Sequence, residues 1–117
     1  MGAYAAALEM VGKLEANLPP DATATADARS ATPPCVLVTH SAASYDGMCS
    51  AAVSWEVVAL APGPWNADAW LALDDLAAAV RASLDVEAYR VVAYRLALDN
   101  PPLPAYLFTF TGGVDID

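Results

Sequence analysis

The only histidine of the chain and both of its cysteines fall in CVLVTHSAASYDGMC, residues 35–49, with Asp46 close by. Thiols, an imidazole and a carboxylate are the raw material of a zinc site or of a cysteine nucleophile with a histidine base. The spacing opposes both. On one strand, Cys35 and His40 are five positions apart, so their side chains point to opposite faces and their backbones lie ~16 Å apart. Zinc knuckles place paired ligands two to four residues apart, and two cysteines with one histidine would still need carboxylates to complete a site. Cys49 could sit across a hairpin from His40, but the flanking residues match no nucleophile signature, and buried cysteine mostly behaves as a small hydrophobe. A Cys35–Cys49 cross-strand disulfide is sterically possible, and a reducing cytoplasm argues against it. We assign no catalytic, cofactor-binding or metal-ligating residue.

Other acidic and glycine-rich stretches read as structure. Asp74 and Asp75 are neighbours on a helix, so they diverge by about 100° and do not converge on one ion. Asp115 and Asp117 belong to the terminal stretch TGGVDID, and Gly112-Gly113 lacks the strand–turn–helix setting of a phosphate loop.

The elements that carry these residues follow from punctuation and periodicity. Residues 3–18 predict an amphipathic helix with Tyr4, Leu8, Val11, Leu14 or Glu15, and Leu18 on its apolar side, stopped by Pro19-Pro20. Residues 21–34, rich in Ala, Thr and Asp, read as a loop or a weak edge strand. Residues 35–61 predict a hairpin, with 41–47 as turn chemistry around Asp46-Gly47. Pro62-Gly63-Pro64 breaks the second strand, and Asn66 caps a helix over 67–84, with Trp70, Leu73, Ala77, Val80 and Leu84 facing inward. Residues 87–112 predict a second hairpin turned at Asp99-Asn100-Pro101-Pro102, and 113–117 a flexible tail. One α+β domain results, with two helices packed on one face of a mostly antiparallel sheet.

Composition narrows the function classes. The chain has 117 residues and a net charge of −9, from 14 acidic and 5 basic residues. That field disfavours binding to a phosphate backbone, although not a passive surface past which DNA slides. Charged residues make up 16%, against roughly 25% in ordinary soluble domains, which suggests surface hidden against partner chains. No stretch reaches the ~18 apolar residues of a membrane span, and Glu9, Lys13 and Glu15 interrupt the first apolar segment, so neither a membrane partner nor a signal peptide is expected. The chain is expected to stay in the cytoplasm where it is made.

Most aromatic residues read as core. Trp65, held between Pro64 and Asn66 at a loop-to-helix junction, reads instead as an interface anchor. Arg90 and Arg95 have opposite parity on their strand, so one of them is expected to face a partner chain.

The order of segments then resembles a known family. PPCVLV opens a strand; VSWEVVALAPGPWNADAWLALDDLAAAVRASL carries a strand through a Pro/Gly/Asn break into a long helix; YRVVAYRLA and LPAYLFTF follow. Over residues 1–112 this is similar to the tail terminator, or tail completion, proteins of long non-contractile-tailed bacteriophages. The resemblance implies a structural virion protein without catalytic residues or cofactors. It would form a six-membered ring on the last ring of the major tail-tube protein and join the tail to a head-side neck protein, at the tail–neck junction, with DNA only passing through. Under that resemblance, loops 21–34, 41–48 and 99–103, with Asp46, Asp99 and Asn100, join Trp65, Arg90 and Arg95 as interface residues. The competing readings are a neighbouring head–tail connector or stopper, a small cytoplasmic Cys/His enzyme, and a monomeric binding module built around Trp65.

Overall fold

A computed structural model describes residues 3–45, 50–84, 86, 89–96 and 101–115. Helix α1 (Ala3–Glu15) is followed by strand β1 (Thr23–Thr25), a 3₁₀ turn at Ala28–Ser30, and strands β2 (Cys35–Tyr45) and β3 (Ser50–Leu60). Helix α2 (Ala67–Ser83) and strands β4 (Tyr89–Tyr94) and β5 (Leu103–Asp115) complete the chain. The fold is α+β: five strands in the order β1-β2-β3-β5-β4, with β1 parallel to β2 and the remaining pairs antiparallel. Helix α1 packs on β1 and β2, and α2 on β3 and β5. Strand β5 inserts between β3 and β4, so α2 carries the chain over β5 and β4 is left at the sheet edge.

The central strands alternate cleanly. Val36, Val38, Trp55, Val57, Ala59, Tyr106 and Phe108 face the helices, where Leu14, Leu73, Leu76 and Val80 meet them. Cys35, Leu37, Val58, Leu60, Ala105 and Leu107 line the other face, packed by Ala31, Val92, Tyr94, Leu96 and Leu103. Both faces of the sheet centre are therefore buried, the second by the segments before β2 and around the end of β4 rather than by helix.

Several expectations change. Helix α1 ends at Glu15, not at residue 18. Its last turn closes through Asn17, whose Nδ2 donates to the Lys13 carbonyl (3.2 Å) and to Ser83 Oγ (2.9 Å). Its inward stripe runs through Ala7, Met10, Val11 and Leu14, with Leu18 packing on the core beyond the helix end, leaving Tyr4 69% and Leu8 48% exposed. The three-to-four spacing places Tyr4 and Leu8 inward, whereas the small Ala7 is the residue buried there. Helix α2 buries Ala69, Leu73, Leu76, Ala77, Ala79 and Val80, while Trp70 lies at its margin rather than inward.

Between residues 21 and 34 the strand reading holds for Thr23–Thr25, and the 3₁₀ turn follows it. Thr25 Oγ1 accepts from the Asp27 N–H (3.0 Å), and Asp27 Oδ1 accepts from the Arg29 N–H (3.0 Å), which sets that turn. Residues 41–45, expected in a turn, continue β2 against Ala51–Ser54 beyond a register shift between His40 and Ala42. Residues 113–115, expected as a tail, continue β5, with Asp115 opposite Ser50. In both cases β3 supplies a ladder partner that local turn and tail chemistry does not reveal.

Helix α2 is anchored at both ends. Asn66 Oδ1 accepts from the Ala69 N–H (2.9 Å), the N-cap bond that its sequence position predicts. Ser83 Oγ lies 2.8 Å from the Ala79 carbonyl oxygen and 3.1 Å from that of Lys13, so its one proton can serve either helix. Asn66→Ala is expected to lower unfolding free energy by about 1 kcal/mol and Asn66→Asp much less. Trp55→Ala is expected to cost about 3–5 kcal/mol. Urea unfolding of each variant measures both.

Candidate functional site

Within residues 35–49, strand β2 carries Cys35 and His40. Cys35 pairs in register with Leu60 and His40 with Trp55, so the two occupy different stretches of one ladder. Cys35 is a free, fully buried thiol. Burial pushes its pKa up to about 11, offset only in part by a hydrogen bond with the Thr32 backbone. A thiol so held stays protonated and unreactive at neutral pH. Cys49 and Asp46 lie outside the described residues, as do Asp99 and Asn100. Among the described residues, no group of three or more His, Cys, Asp or Glu side chains could hold a metal ion. A groove of about 370 Å³ beside the start of α2 is lined by Asp21, Asp68, Asn66 and three prolines-and-glycine positions, Pro34, Pro62 and Gly63. It offers two carboxylates but no nucleophile.

The distinctive feature lies on the helix side of the sheet, toward the β4 edge. Trp65 directly precedes the N-cap and Trp70 is the fourth residue of α2, the two positions that a hydrophobic staple brings together. Their ring centroids are 4.8 Å apart. Trp70 also meets Tyr106 (6.1 Å), Tyr106 stacks on Tyr89 (4.4 Å, 22° between planes), and Tyr89 meets Phe108 (5.4 Å). The staple fixes where the chain enters α2, and β5 and β4 extend the ring contacts across the sheet.

This group is only half covered. Tyr106 and Phe108 are buried, whereas Trp65, Trp70, Tyr89 and Val91 are 40%, 43%, 45% and 52% exposed. Val91 is the register partner of Tyr106, whose ring Trp70 and Tyr89 also meet, while Trp65 reaches it through Trp70. Beneath them, the Tyr106 hydroxyl donates to Asp74 Oδ1 at 3.1 Å. Burial first, and then the Asp74 carboxylate, push the Tyr106 pKa up to about 12.

Of the residues singled out in the sequence, Trp65 belongs to this surface. Arg90 is exposed on β4, but its register partner Leu107 faces the opposite side of the sheet, so Arg90 lies on the other face from Trp65. Arg95 is exposed just past the end of β4. The sequence reads Trp70 and Tyr106 as core and does not mark Tyr89 or Val91. The staple spacing of Trp65 and Trp70 around Asn66 was the available signal for Trp70. Tyr89 and Val91 become exposed only because β4 takes the edge, which strand order decides. No known protein family matches this chain, and no curated protein does either.

The raised pKa values of Cys35 and Tyr106 give the fold an alkaline limit. The Cys35 thiol ionises at 9.0 when unconstrained and at about 11 when folded; the Tyr106 phenol moves from 10.0 to about 12. Each therefore contributes stability that is complete below its unfolded value and lost as pH rises through the window to the folded one. The urea midpoint is expected to fall between pH 9 and 12, and Tyr106→Phe together with Cys35→Ala to flatten that fall relative to wild type.

Proposed function

We propose that the chain is a structural virion protein that caps the growing tail tube of a long-tailed bacteriophage as a ring and joins it to the head-side neck. The observation that carries the assembly part is the half-covered aromatic surface at the open β4 edge, on a chain with only 16% charged residues. Large rings left exposed around a buried hub are the usual anchors of protein contacts. The address at the tube end rests on the resemblance in segment order. In this reading the partners are further copies of the chain, the major tail-tube protein and a neck protein, and the product of host-cytoplasm synthesis ends in the virion at the tail–neck junction.

Capping of this kind requires no bond-making. A terminator binds the tube end through one surface and presents another that cannot accept a further tube subunit. Ring contacts of modest strength favour closure on the tube over premature closure in solution. With a net charge of −9, the chain would not retain DNA passing through the ring. No helix among the described residues is long and apolar enough to cross a membrane, which is compatible with this location.

Adding the purified chain to polymerising cognate tube protein is expected to arrest elongation at substoichiometric amounts, with labelled chain only at tube ends in electron micrographs. Cys49→Ala is expected to leave arrest unchanged. Undiminished tube growth, or label along the tube wall, would overturn the reading.

A further inference from the structure

We propose that β4 receives an extended segment of another protein as a sixth strand of the sheet, with apolar side chains of that segment turned toward the rings of Trp70 and Tyr89. It is the backbone of β4 that calls for a strand, wherever the chain acts.

One hydrogen bond fixes which way that backbone points. The Ala61 N–H donates to the Pro104 carbonyl (3.0 Å), so at Pro104 strand β5 turns toward β3. Backbone groups alternate sides along an antiparallel strand, and Leu103, Ala105 and Leu107 therefore turn toward β4. Their register partners are Tyr94, Val92 and Arg90. The alternate residues Tyr89, Val91 and Ala93 present their N–H and C=O groups to the free edge, where no described strand meets them. The register runs without a shift from Tyr89 to Tyr94, and β4 holds neither proline nor glycine. Bulges, prolines and short length are the devices that blunt an edge. The opposite edge has one of them, because β1 is three residues long.

The residues with outward backbone groups also carry the exposed side chains of β4 on the helix side. Tyr89 and Val91 are about half exposed, and Ala93 is exposed as well. Helix α2 packs on β3 and β5, so its Trp70 stands as a wall beside this shelf. In an added strand, the residues in register with Tyr89, Val91 and Ala93 place their side chains on the same shelf, against the rings. Those between them face the side of Arg90, where polar residues fit. The partner is thus a segment that alternates apolar and polar residues.

Area decides between a domain and a single strand. At 40–52% exposure, and with ~150–250 Å² per aromatic side chain, Trp65, Trp70, Tyr89 and Val91 offer on the order of 300 Å² of apolar surface. A folded partner needs ~800 Å² on each side for a stable contact. A single strand needs less, because backbone hydrogen bonds supply its affinity and the side-chain positions its preference. A second copy of the chain is a poor donor. Its β2, β3 and β5 are paired on both sides, and its β1 has three residues. Two β4 edges in contact would align two chains of net charge −9, which repel.

Amide hydrogen exchange of the full chain, followed residue by residue by NMR, tests the proposal. The probe is a synthetic peptide of about six residues, the usual strand length, alternating valine with threonine and blocked at both ends. In the free chain the amides of Tyr89, Val91 and Ala93 are expected to exchange rapidly, and those of Arg90, Val92 and Tyr94 to be protected. Probe near saturation is expected to slow the first three by about tenfold and to leave α1 unchanged. N-methylation of one alternate set of probe nitrogens should abolish the effect, and methylation of the other set should preserve it. No slowing at the solubility limit of the probe overturns the proposal, as does equal slowing by both methylated probes. A probe with serine in place of valine is expected to be the weaker, and equal potency overturns the assignment of apolar residues to the ring side. Protection of the three amides in the free chain that disappears on dilution gives the edge to a second copy and overturns the proposal too.

Discussion

The buried ring of Tyr106 is the point at which α2, β5 and β4 are held together. Trp70 approaches it from the helix, Tyr89 stacks on it from the edge strand, and its hydroxyl reaches Asp74 on α2. These contacts bind an edge strand that has a neighbour on one side only. They also compel exposure. A ring with partners on two sides keeps those partners at the rim, where Trp70 and Tyr89 are only partly covered. The interactions that secure β4 therefore create the apolar surface beside it.

That coupling bears on how the protein works. Under the proposed function, a rim already held by fold-stabilising contacts would keep the ordering cost of docking small. The opposite edge provides a different surface on α1, apolar at Tyr4 and Leu8 and bordered by acidic residues. Cys35, the described thiol, is sealed into the sheet and shifted toward its protonated form.

Much of the architecture was legible in the amino-acid sequence because the signals were local. Asn66 caps α2 where its side chain and position required, and Pro62-Gly63-Pro64 follows the end of β3 at Leu60. What escaped depends on distant parts of the chain. The insertion of β5 between β3 and β4 makes β4 an edge and exposes Tyr89 and Val91, and no residue near them announces it. Ala7 displaced Tyr4 and Leu8 from the core face of α1 because close helix–sheet approach rewards small side chains. Trp65 was recognisable as an anchor from its place between Pro64 and Asn66. Its companions at Tyr89 and Val91 needed the strand order.

The proposed function requires that this chain act through contact between copies of itself. Sedimentation velocity of the full-length chain over a wide concentration range, alone and with cognate tail tubes, tests it most directly. The account expects a boundary that shifts with concentration toward a closed oligomer, and ring-sized material retained with the tubes. A single monomer boundary at every concentration, with none of the chain travelling with the tubes, would contradict it.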